Sequence, residues 1–129
     1  MNKEQFRHRT KRFALDVIDL TSTLPRSYTC DVLGRQLLRS GTSVGANYRA
    51  ACRAKSNADF ISKMGTVEEE TDESMYWMEL LTESSILPAD RIRPLYQEAD
   101  ELLAMTVSSI KTARARDSSP KSAVRNPKS

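Results

Sequence analysis

The stretch QLLRSGTSVGANYRAACRAK, Gln36 to Lys55, decides how the chain is read. Leu33, Leu37, Ser40, Val44, Tyr48 and Ala51 recur at helical spacing and fall on one face, although the segment holds residues that ordinarily end helices. Gly41 and Gly45, with Ser40, Ser43, Ala46 and Ala50 around them, leave that face with little side-chain bulk. Each glycine costs about 1 kcal/mol of helix propensity, so their presence predicts a place where another backbone approaches closely. The apolar stripe keeps its phase across Gly41, which predicts one continuous helix from about Thr29 to Arg53 with at most a kink. Gly41 to Gly45 is not a phosphate loop, because no strand precedes it and no Gly-Lys-Ser/Thr follows.

Three further helices flank this one. Phe6, Phe13, Val17, Leu20 and Leu24 carry the helical period from Lys3 to about Thr23; Pro25 ends that run, and Ser27 is placed to cap the next. Ser56-Asn-Ala-Asp59 opens a third helix, whose stripe runs from Phe60 through Met64, Val67, Thr71, Met78 and Leu81 to Leu87-Pro88. Asp90 is positioned to cap the fourth, with Ile92, Leu95, Ala99, Leu102, Thr106 and Ile110 as its stripe, fading after Arg116. Four amphipathic helices with short links define an all-α, up-down antiparallel four-helix bundle over residues 1–116, and 117–129 is expected to be a disordered basic tail.

The chain of 129 residues is one domain, large enough to bury a core without staples. No apolar run approaches the roughly 20 residues that span a bilayer, and the first residues lack the apolar core of a signal peptide, so no membrane association and a cytoplasmic location are expected. Cys30 and Cys52, on one helix, would lie roughly 33 Å apart and cannot bridge each other, so reduced thiols are expected. The net charge of +3 conceals segregation: counting Lys and Arg against Asp and Glu, residues 26–55 carry +5 and residues 56–90 carry −8. Such alternation suits a nucleic-acid surface, or complementary helices within a bundle or between subunits. Together with the small-residue face it points to a closed ring of bundles.

The segment QLLRSGTSVGANYRAACRAKSNADFISKM resembles that of the bacterial four-helix proteins known as ribosomal RNA intervening-sequence proteins, which show Gln-Leu-x-Arg-Ala-x-x-Ser-Ile-x-x-Asn and then a helix opening with Phe. Gln36, Leu37, Arg39, Ser43, Val44, Asn47 and Phe60 stand at those positions, and Leu24-Pro25 matches the close of the family's first helix. Ser40 replaces the family's alanine, and Arg49, Ala50 and Ala51 stand where an Ala-Glu-Gly is usual, so the family's glutamate is missing. Glu73, Tyr76, Trp77, Glu79 and Leu80 match a subgroup. The resemblance implies a homopentamer and a basic surface for nucleic acid. A related accessory protein of diversity-generating retroelements uses a similar pentamer to engage a reverse transcriptase and RNA, which makes RNA or a reverse transcriptase the partner implied here.

Enzymatic chemistry finds little support. His8, the one histidine, lies in a charged run, so neither a histidine-based triad nor paired Glu-x-x-His motifs can be assembled. Glu69, Asp72 and Glu73 share a helical face, but a solvated or salt-bridged acidic face is the plainer reading. Arg39 and Asn47 are placed to meet acidic groups of the third helix in a partly buried network. Arg35, Arg39, Arg49, Arg53 and Lys55 are the candidate nucleic-acid contacts, since Lys and Arg neutralise phosphates without reading sequence; the same five could pair instead with the acidic segment. The combined reading is a non-enzymatic, self-assembling interaction module without cofactor or metal. The alternative is a small-molecule or metal-binding bundle using the acidic face of the third helix.

Overall fold

The computed structural model describes residues 2–118, which form four helices: α1 (Lys3–Ser22), α2 (Tyr28–Cys52), α3 (Asn57–Glu83) and α4 (Ala89–Ser118). Among the described residues there is no strand. The expected tail lies, from residue 119 on, outside the described residues; α4 itself continues two residues past Arg116.

Each helix start has a local cause. Asn2 and Gln5 form a reciprocal capping box at α1, Ser27 Oγ accepts from Cys30 N at 3.0 Å, and Ser56 Oγ accepts from Asp59 N at 3.0 Å. At α4 the expected cap is displaced: Asp90 lies inside the first turn, where its carboxylate meets the positive helix end, and the Pro88 carbonyl accepts from Arg91 N. Pro94 sits within α4 and removes one helical hydrogen bond near its start, and the helix continues through it. Between α3 and α4 the chain reverses through Ser85, the one described non-glycine residue with positive φ (64°), so that Ile86 N and Leu87 N both donate to the Leu81 carbonyl.

Contacts between helices fix the antiparallel order. Phe6 stacks edge-on against Tyr48 with ring centroids 4.6 Å apart, Val17 faces Gly41, and Leu24 faces Gly34, so α2 runs backwards along α1. Tyr96 reaches Glu79 while Asn57 donates to the Ala113 carbonyl, so α4 runs backwards along α3. Helices adjacent in sequence are packed most extensively, and α1 meets α4 most sparingly. There, Arg9 pairs with Glu98 and Glu101, which closes the bundle.

Gly41 and Gly45 do meet a close neighbour, and it is this chain's own α1. A Cβ added at Gly41 would lie 2.8 Å from Val17 Cγ2, and one at Gly45 would lie 3.3 Å from the Thr10 carbonyl oxygen. The close approach at these two glycines is therefore made within the bundle and does not itself argue for a ring of subunits. Cys30 and Cys52 are both free, as their spacing along α2 requires.

The core is lined by Phe13, Val17, Leu37, Val44, Val67, Met78, Leu81 and Leu102, all fully buried. Thr10, Ser40, Thr71, Ser74 and Thr106 are buried among them, and each hydroxyl donates to a carbonyl three or four residues earlier on its own helix. Burying a hydroxyl without a partner costs roughly 1–3 kcal/mol, and among the described residues no buried side-chain polar atom lacks one.

Candidate nucleic-acid interface

Up-down topology carries the start of α1, the end of α2, the start of α3 and the end of α4 to the same pole of the bundle. There α1 and α2 enclose an open groove of about 640 Å³. Lys3, Arg7, His8 and Lys11 line it from α1, Arg49 and Arg53 line it from α2, and Ala14, Thr42, Gly45 and Ala46 form its small-residue floor. Lys3, Arg7 and Lys11 recur every fourth residue, as do Arg49 and Arg53, so each set stands on one side of its helix about 6 Å apart in rise.

One acid enters this groove. Glu4 pairs with Arg7, and Lys3, Lys11, Arg49 and Arg53 have no ion-pair partner among the described residues. Like charges facing across a helix pair repel, so the bare arrangement costs stability. Beneath the groove, burial and then the neighbouring Cys52 hold the Tyr48 phenol above its ordinary range, which keeps it uncharged.

The five candidate residues fall into different settings. Arg49 and Arg53 come together in the groove, and Lys55 lies just past α2 at the same pole, with its side chain exposed and its backbone N–H donating to the Asp59 carboxylate. Arg39 is committed elsewhere: it pairs with Glu70 at 3.1 Å and with Glu73. Glu73 is held below the usual carboxylate range first by the Trp77 indole N–H and then by Arg39. The polar network expected of Arg39 is thus present, whereas Asn47 turns back to the Ser43 carbonyl of its own helix. Arg35 lies on a separate, mostly apolar groove with Ile18, Leu24 and Leu38, toward the α1–α2 turn.

Three contributors from α1, Lys3, Arg7 and Lys11, were not among the sequence candidates. Their four-residue spacing was the available signal, and it becomes informative once α1 is known to pack antiparallel on α2. The acidic face of α3 offers no comparable centre. Glu70 and Glu73 serve Arg39, Glu79 accepts from Tyr96, whose phenol is pushed up to about 12 chiefly by that bond, and no three of His, Cys, Asp and Glu gather to hold a metal ion among the described residues.

A basic groove on a four-helix bundle defines a class of protein, and sequence comparison supplies the family. The 23S rRNA-intervening sequence protein model matches residues 3–108, and the chain belongs to that family. It is also similar to a crystal structure of a protein of unknown function from the S23 ribosomal protein family of Bacteroides thetaiotaomicron, at 32% identity and a TM-score of 0.80, over 86% of this chain and 99% of that one. No curated protein matches the chain at a significant level. No helix among the described residues is long and apolar enough to cross a membrane.

Proposed function

We propose that this protein is a non-enzymatic, self-assembling cytoplasmic module that holds nucleic acid, RNA above all, along the α1/α2 groove. One observation carries the reading: Lys3 and Lys11 of α1 and Arg49 and Arg53 of α2 converge on one groove and are left without acidic partners among the described residues. A folded chain gains nothing from facing cations against each other, so a polyanion is the natural counterpart.

The test is binding of the double variant Arg49→Glu with Arg53→Glu to a labelled RNA hairpin, followed by fluorescence anisotropy across a salt series. Each phosphate that the variant leaves without its cation lowers the slope of log affinity against log salt by roughly 0.7 to 0.9. Light scattering on the parent is expected to give a mass well above one 14.6 kDa chain, and on the variant the same mass. Unchanged affinity and slope at unchanged mass would exclude this groove as the nucleic-acid surface, and a monomeric parent would exclude self-assembly.

A further inference from the structure

We infer that the α1/α2 groove grips the phosphate backbone of paired nucleic acid, a duplex or a hairpin stem, and does not take up unpaired bases; this rests on the nucleic-acid reading above. Lys3, Arg7 and Lys11 form one row and Arg49 and Arg53 another, both with a repeat of about 6 Å set by four residues of helix rise, comparable to the interval between successive phosphates along a strand. Between the rows, Gly45 and Ala46 keep the floor low, so a phosphodiester ridge can settle between the cations.

What the groove withholds is equally specific. Proteins that grip single strands obtain much of their affinity by stacking bases on aromatic faces. The aromatic residues at this site, Phe6 and Tyr48, are 6% and 7% exposed and stack on each other below the floor, where no base can reach them. The strongly exposed aromatics, Tyr28 and Tyr76, stand at the far end of α2 and on α3, outside the groove lining. Charge alone remains, and a duplex presents twice the charge per unit length of a single strand in a fixed array. Bases held in a stack remain unread, so the grip is indifferent to sequence and to the identity of the sugar.

The experiment compares the full chain on three labelled probes with equal numbers of phosphates: an RNA hairpin, a DNA duplex and an unstructured single strand. Both paired probes are expected to bind roughly fivefold or more tighter than the single strand, with a salt slope of about −4.5 if all five cations meet phosphate. Lys3→Gln with Lys11→Gln, both exposed and so compatible with folding, is expected to reduce that slope by about 1.8 on either duplex while helix content by circular dichroism stays unchanged. Equal or tighter binding of the single strand, still abolished by Arg49→Glu with Arg53→Glu, would overturn the duplex preference while leaving the nucleic-acid reading standing. A difference of more than about tenfold between the RNA and DNA duplexes would overturn the backbone-only grip, since it would require contact with the 2′-hydroxyl. Failure of all three probes to bind would overturn both readings.

Discussion

The two flanks of α2 treat arginine in opposite ways. Toward α3, Arg39 meets Glu70 and Glu73, and deeper in the same seam the Ser74 hydroxyl, its one proton shared with the Glu70 carbonyl, lies 3.0 Å from Ser40 Oγ, so charge and hydroxyl are matched within the fold. Toward α1, Arg49 and Arg53 face Lys3, Arg7 and Lys11, and the two helices are held together by shape: glycines against Val17 and Thr10, and Phe6 against Tyr48. One helix therefore carries a seam that is electrostatically finished and another that is not. The unfinished seam is where function should be sought, because natural chains surrender stability at sites that serve something other than folding.

The steric part of this comparison yields the largest effect. Gly41→Leu is expected to cost about 3 kcal/mol in urea-induced unfolding, the upper overpacking range, because Val17 is branched, stiff and fully buried. Gly45→Leu meets the Thr10 carbonyl at the less severe 3.3 Å and should lose less. Gly65, with nothing within 4 Å of an added Cβ, is the control: Gly65→Ala should stabilise by about 1 kcal/mol through helix propensity alone. Equal losses at Gly41 and Gly65 would mean that the α1/α2 packing is not a fit.

On the finished seam, Ser74→Ala is expected to cost about 1 kcal/mol by removing the donor to Ser40. Combining it with Ser40→Ala should cost less than the two single variants together, since both remove the same bond. Additive costs would show that the two hydroxyls act separately.

The charge comparison predicts a difference in sign. At low salt, Arg39→Glu should lower the melting temperature, because it sets a third carboxylate beside Glu70 and Glu73. Arg49→Glu should raise it slightly, for a stability gain of about a few tenths of a kcal/mol, through relief of repulsion across the α1/α2 groove. Both shifts should shrink in high salt as screening sets in. The same sign at both sites would break the comparison.

The smallest effect is spectroscopic. Glu73 titrates below its ordinary 4.5, first through the Trp77 indole and then through Arg39, so its contribution is fully present above that value and is lost as pH falls through the depressed one. Trp77 fluorescence should therefore change with a midpoint below pH 4.5, and Glu73→Gln should remove that step while leaving the fold intact. A midpoint at or above the ordinary glutamate value would show the pair to be loose.

Much of this architecture was legible from periodicity. The stripes of α2 and α3, the caps at Ser27 and Ser56 and the antiparallel order all follow from local spacing, and the structure adds only small shifts at their ends. The site was half legible. Arg49 and Arg53 stand out by charge, but neither the pairing of Arg39 nor the recruitment of Lys3, Arg7 and Lys11 can be read along the chain, since both depend on which helix faces which at a given height. The destination of the glycine face is hidden for the same reason: a close approach is written in the sequence, and the identity of the approaching backbone is not. Thr10, buried under Gly45 at 1% exposure, shows the limit from the other side, because a threonine in a basic run gives no sign of being core.

The sparse seam between α1 and α4 bears on how quickly the chain finds its structure. Every extensive interface joins helices that are consecutive in sequence, so loop closure is cheap at each step and the topology belongs to the fast-folding, low-contact-order class. The distant closures at this seam bring Arg9 to Glu98 and Glu101 across some ninety residues and Arg91 to the Thr23 hydroxyl across 68. Because these contacts close the longest loop, they are expected to form last, so weakening them should leave the folding rate unchanged and hasten unfolding.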